Sequence, residues 1–140
     1  MKSKYDAVLF DFDGTIADTG RGIFSSIQYA AECLGFEPLD KKTLRRFIGP
    51  PVYDSFKREL DLDSEKSDFA VRKYREKYAE FGIFEFDVYD GIIPLMKKLR
   101  ENGIKIGIAS SKPQNFLIRI VDYLKIGGIV DFISAPSADD

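Results

Sequence analysis

The sequence predicts an α/β protein built on a parallel sheet, with a helical stretch inserted after the first strand. Three observations carry the prediction. Short apolar runs at 5–10, 104–109 and 129–134 are each bounded by turn-forming or small polar residues, as strands are. From Val88 onward helical periodicity fills the intervals between such runs, and strand–helix–strand alternation argues for parallel pairing. Between Ala17 and Val88, by contrast, apolar residues recur at helical spacing, so residues 17–88 read as a mostly helical insert between core segments 1–16 and 89–140.

In sequence order, Tyr5–Phe10 reads as a buried strand closed by Asp11-Phe12-Asp13-Gly14-Thr15. Asp18 or Thr19 then caps a helix running to Gly35, with Ile23, Ile27, Ala30 and Leu34 on one face. Asp40 starts a shorter helix through Phe47, and Gly49-Pro50-Pro51 interrupts the pattern because neither proline can donate to a helical ladder. Val52, Phe56 and Leu60 form the next helical stripe. Asp63 or Ser64 caps a last insert helix, with Ala70, Tyr74, Tyr78 and Phe81 inward and Gly82 as its stop. Asp90-Gly91 makes a turn into a helix lined by Ile92, Leu95 and Leu99 and ended by Gly103. After the strand Ile104–Ala109, Pro113 opens a helix at a first helical position, with Phe116, Leu117, Ile120, Val121 and Leu124 along it. Gly127-Gly128 leads into the third strand.

Composition narrows the function classes. The 140 residues are 44% apolar and 14% aromatic, enough for a core. Lys+Arg number 21 against Asp+Glu 23, with no basic stripe, so nucleic acid is not an expected partner. Nor is a membrane: no apolar run is long enough to span one, and without a signal peptide the protein reads as cytoplasmic. The single cysteine, Cys33, lies in a helical pattern and is expected to be buried packing. There is no histidine, which excludes Ser-His-Asp and Cys-His catalysis and the usual zinc sites. Acid–base work then falls to carboxylates, lysine, tyrosine or water.

Asp11 and Asp13 are the residues that a stable strand end does not want. Neighbouring ionised carboxylates repel, and each costs free energy to desolvate unless a cation compensates. A bound divalent cation is the simplest compensation, and hard oxygen ligands on a tight turn suit Mg²⁺. Strand alternation would place Asp11 and Asp13 on one side with Phe12 in the core, and Gly14 lets the backbone turn and approach an anion. A DxD pair alone reads as an acidic turn capping backbone amides. The full DFDGT behind an apolar strand points to phosphoryl chemistry, in which a positioned, metal-assisted carboxylate can act as nucleophile.

Asp11-Phe12-Asp13-Gly14-Thr15-Ile16-Ala17-Asp18-Thr19 resembles the first motif of the haloacid dehalogenase-like hydrolases, in particular their phosphoglycolate phosphatase-like branch. The resemblance implies a Rossmann-like core with the insert as a C1-type cap. It implies Asp11 as the nucleophile that becomes an aspartyl-phosphate and Asp13 as the acid/base, with Mg²⁺ held by the Asp11 carboxylate and the Asp13 backbone carbonyl. Gly14 and Thr15 become candidates for phosphate contact. Ser110-Ser111-Lys112-Pro113 is an ordinary helix cap by itself, but it resembles the family's second motif, placing Ser110 on the phosphoryl oxygen with Ser111 and Lys112 beside it. Arg45, Arg46 and Gly49 fall in the implied cap loop as substrate-binding candidates, since arginine suits a carboxylate or a second phosphate. Each arginine alone reads equally as a solvated basic helix end.

The family's third-motif lysine and its later acidic motif are expected beyond this stretch. Asp139 and Asp140 are tempting acidic substitutes but read better as loop or terminus, and Lys112 is not equated with that lysine. The core is therefore expected to be incomplete at its C-terminus, which leaves a sheet edge open to self-association. The implied activity is Mg²⁺-dependent hydrolysis of a small phosphorylated metabolite. A β-phosphoglucomutase-like phosphotransferase, a phosphate-accepting domain and an inactive fragment are the alternatives.

Overall fold

The computed structural model describes residues 3–137, so Asp139 and Asp140 lie outside the described residues. Its elements in sequence order are β1 (Ala7–Phe10), β2 (Ala17–Asp18), α1 (Gly20–Cys33), α2 (Lys41–Arg45), α3 (Val52–Glu59), α4 (Ser64–Glu80), a 3₁₀ turn (Gly82–Phe84), β3 (Asp87–Val88), α5 (Ile92–Glu101), β4 (Lys105–Ala109), α6 (Gln114–Tyr123) and β5 (Phe132–Ser134). They form two compact units, Met1–Thr19 with Phe86–Asp140, and Gly20–Glu85. The divide falls inside the 16/17 and 88/89 boundaries expected from periodicity. Ala17–Asp18 pairs antiparallel with Asp87–Val88, which holds both short segments in the first unit.

The first unit carries a parallel sheet in the order β1-β4-β5, with Phe10 opposite Ile108 and Ala109 opposite Ser134. β4 is the central strand, and its Ile106, Gly107 and Ile108 are buried. α5 presents Met96, and α6 presents Leu117, Ile120 and Val121, as their buried residues. β1 has a neighbour on one side only among the described residues, so it is an edge rather than the buried strand the sequence suggested, and Leu9 is 57% exposed.

The second unit packs Ile27 and Ala30 of α1, Leu44, Phe47, Phe56, Leu62, and Ala70 and Val71 of α4 into one core. Phe56 is its centre, edge-on to Phe47 at 5.0 Å and to Tyr74 at 6.4 Å. Burying such a ring is worth about 1.5–3 kcal/mol. Asp40 and Asp63 cap α2 and α4 by accepting from the backbone N–H groups of Thr43 and Lys66. α1 ends in a Schellman turn: Phe36 N–H reaches Ala31 O, Gly35 N–H reaches Glu32 O, and Gly35 takes φ +85°.

Several local expectations are corrected. Cys33 is exposed, because it closes α1 outside the buried set of that helix. Phe81 and Leu95 are exposed, while Met96 takes the buried position on α5. α2 stops at Arg45 instead of Phe47, β5 is only three residues long, and Pro113 precedes α6 as its cap.

Candidate functional site

The C-terminal ends of β1 and β4 lie side by side, and each continues directly into one of the two suspected motifs. Ligand sites of parallel sheets form at such ends. After Phe10 the backbone leaves the strand and folds into a tight loop. Phe12 O accepts from the N–H groups of Thr15, Ile16 and Ala17 at 3.2, 3.0 and 3.2 Å, and Gly14 N–H donates to Ala17 O at 2.8 Å. Phe12 is buried at the base of this loop, edge-on to Phe86 at 5.5 Å. Gly14 sits at φ +81°, a left-handed conformation that a side chain would strain. The amides of Gly14 and Thr15 are thus engaged inside the loop, which leaves the Thr15 hydroxyl as that pair's polar group for a ligand.

Asp11 and Asp13 end in different environments. Asp11 is exposed, and its Oδ1 accepts from Phe12 N–H at 2.7 Å. Asp13 Oδ1 is buried and receives no aligned hydrogen bond, yet Lys112 Nζ stands 3.1 Å from it as an ion pair. At that distance the ammonium and the carboxylate oxygen attract each other directly. Among the described residues, the backbone C=O and N–H of Asp13 have no hydrogen-bond partner. The loop therefore offers an exposed carboxylate, a free carbonyl oxygen and a free N–H within three residues.

From the β4 side, Ser110 N–H bonds to Ser134 O at 3.1 Å, and Ser110 Oγ accepts from Lys112 N–H at 3.1 Å. The Ser110 hydroxyl keeps its proton for a ligand oxygen. Ser111 is exposed, and Gln114 N–H bonds to Pro136 O at 2.8 Å at the start of α6. Lys112 is buried, with its ammonium 5.8 Å from the centre of the Phe12 ring. Burial lowers its pKa from the ordinary lysine value, and the charges of Asp13 and then Asp11 oppose that shift.

The fold thus gathers Asp11, Asp13, Gly14, Thr15, Ser110, Ser111 and Lys112 in one unit. Arg45, Arg46 and Gly49 belong to the helical unit. There Arg46 Nε donates to Glu59 Oε2 at 2.8 Å and Arg58 Nε to Glu59 Oε1 at 2.9 Å, which holds the Glu59 carboxyl below its ordinary range. Gly49 takes φ +108°, a turn that suits glycine. No helix among the described residues is long and apolar enough to cross a membrane.

An acidic loop thus lies beside a serine–lysine turn at the ends of two paired parallel strands, and the chain belongs to the haloacid dehalogenase-like hydrolase family, whose profile matches residues 8–138. It is 38% identical to a 5'-nucleotidase of Pseudomonas aeruginosa over 81% of this chain and 51% of that protein. It is 32% identical to the tyrosine-protein kinase PtkA of Mycobacterium tuberculosis over 94% of this chain and 45% of that one. A crystal structure of a phosphatase candidate from Clostridium difficile superposes with TM-score 0.91 at 38% identity, covering 99% of this chain and 64% of that protein. The chain spans about half the length of the curated relatives it matches.

Proposed function

We propose that the protein is a phosphomonoester hydrolase acting on a small phosphorylated metabolite of the phosphoglycolate type. The carrying observation is the contrast within the DxD pair: Asp11 exposed, Asp13 drawn onto Lys112. A nucleophile has to be open to the substrate. An acid–base group has to be held where it can serve the leaving oxygen and then water.

In this reading Asp11 attacks phosphorus and the bond to the leaving oxygen breaks, while protonated Asp13 delivers its proton to that oxygen. Asp13 then takes a proton from the water that attacks the aspartyl-phosphate, which releases phosphate and restores the Asp11 carboxylate. Ser110, Ser111, the Thr15 hydroxyl and the free Asp13 N–H bind phosphoryl oxygens. The turn at Gly14 gives the backbone its close approach to that phosphate.

Mg²⁺ fits the donor set. The Asp11 carboxylate and the Asp13 carbonyl are hard oxygens with capacity to spare, and Mg²⁺ commonly takes one or two protein ligands and completes its shell with water and substrate phosphate. When bound, it neutralises charge on the transferring group. Among the described residues no cluster of three or more acidic or thiol ligands offers a fuller cage. The helical unit acts as the substrate-selecting cap, with Arg45, Arg46 and Gly49 in its reading loop, and the protein works in the cytoplasm. The open edge of β1 is where self-association would occur.

Asp11→Asn tests the reading. Metal-dependent release of phosphate from phosphomonoesters should disappear in that variant, and activity surviving at the wild-type rate would refute it. The likeness to a protein named as a kinase favours one second reading, transfer of the phosphoryl group from Asp11 to an acceptor hydroxyl. Product partitioning between phosphate and phosphorylated acceptor separates the two.

A further inference from the structure

Lys112 resembles a phosphate ligand in the sequence, but its placement is unusual for that duty. A lysine that receives substrate phosphate works best with its ammonium open to the ligand. Here the residue is only 9% exposed, its ammonium stands over Phe12, and its ion-pair partner is the Asp13 carboxylate. The Asp13 oxygen it faces is itself buried and has no aligned donor. The Lys112 side chain is buried while that of Asp13 keeps 35% exposure, so the lysine is the desolvated member of the pair and the carboxylate oxygen turned towards it is the one shielded from water. Ser110 Oγ, accepting from Lys112 N–H, fixes the backbone from which the lysine side chain departs.

We propose that Lys112 is a positioning residue for the acid–base carboxylate: it holds Asp13 in place through the ion pair at Oδ1 and does not bind the transferring phosphate. The proposal rests on the reading above, in which Asp13 serves the leaving oxygen. It assigns the phosphate contacts to Ser110, Ser111 and the loop instead.

Leaving-group dependence distinguishes the roles. An alkyl phosphomonoester such as 2-phosphoglycolate expels a poor leaving group that needs a proton, whereas p-nitrophenyl phosphate expels an anion that needs none. The quantity to measure is kcat/KM, which reports steps up to the first irreversible one. Asp13→Asn should lower it for the alkyl ester by about 100-fold or more, the low end of general acid contributions, and far less for the aryl ester. Lys112→Met should reproduce that selective loss, and the double variant should be no worse than Asp13→Asn alone, because the two act as one unit.

Equal losses on both esters, adding to those of Asp13→Asn, would mean that Lys112 binds phosphate and would overturn the proposal. Small equal losses with a lowered Tm would mean that the lysine only supports the fold, and would overturn it too. Lys112→Gln, whose amide is polar and uncharged, serves the same comparison if the methionine variant does not fold. Asp11→Asn keeps the underlying reading separately testable, since it should abolish turnover of both esters whatever Lys112 does.

Discussion

Gly107 and Phe132 face each other across β4 and β5 so closely that the ring occupies the space a side chain at 107 would need. A Cβ placed on Gly107 would lie 2.5 Å from Phe132 Cζ and 2.7 Å from Leu9 Cδ2. The register puts Leu9, Gly107 and Phe132 in one row across the three strands. The glycine lets the two large side chains lean over the central strand.

Gly107→Ala should therefore destabilise the first unit by about 1–3 kcal/mol, the usual cost of overpacking. Urea unfolding checks this, with a lower midpoint and an unchanged slope expected. A midpoint equal to that of the wild type would show that Phe132 moves aside freely.

A harsher clash is expected at Gly22. Its Cβ would run into the backbone carbonyl of Gly82 and would stand 2.9 Å from Glu85 O. Backbone cannot rotate away as a ring can. Gly22→Ala should lower Tm more than Gly107→Ala does, and scanning calorimetry of the two variants side by side gives the order.

The pH dependence of stability should carry a contribution from Asp131. Its carboxylate pairs with the Arg100 guanidinium and accepts from Ile106 N–H at 2.8 Å, which holds its pKa below the ordinary aspartate value. A carboxyl lowered on folding stabilises at pH above its unfolded pKa, about 3.9, and loses that contribution as pH falls through its folded value. The Tm advantage of wild type over Asp131→Asn should be full near pH 6 and shrink below about pH 4. An advantage that stays constant over this range would remove Asp131 from the account.

Metal removal gives a further check on the site. Chelation should abolish phosphatase activity and added Mg²⁺ should restore it, while Asp11→Asn should remain inactive at any Mg²⁺ concentration. Full activity in excess chelator would exclude a metal-assisted nucleophile.

Much of the architecture is legible in the sequence because it is written locally. Asp40 and Asp63 cap helices through residues three positions on, and DFDGT makes its own loop, so short-range chemistry identifies them. Periodicity is less decisive at Leu95 and Met96, where adjacent apolar residues compete for the inward position and packing selects methionine. The same holds for Phe81 and Cys33, at or just past a helix end, where the inward stripe runs out. The two-residue strands β2 and β3 are too short to leave a pattern, so periodicity divides the chain at 16/17 and 88/89, whereas the two compact units meet at 19/20 and 85/86. Lys112 stands out in the sequence as a candidate, but its partner does not. Its local sequence describes a helix cap, and only the pairing of β1 with β4 brings Asp13 to it.

That pairing joins the first strand of the protein to one that follows the whole helical unit. During synthesis, Asp13 emerges from the ribosome long before Lys112 does, so its carboxylate has no lysine beside it until β4 and the turn after it have been made. The acidic loop must therefore remain hydrated on the nascent polypeptide until β4 docks. The docking that pairs β4 with β1 also sets the Lys112 ammonium against Asp13 Oδ1, while Asp11 keeps its contact with water.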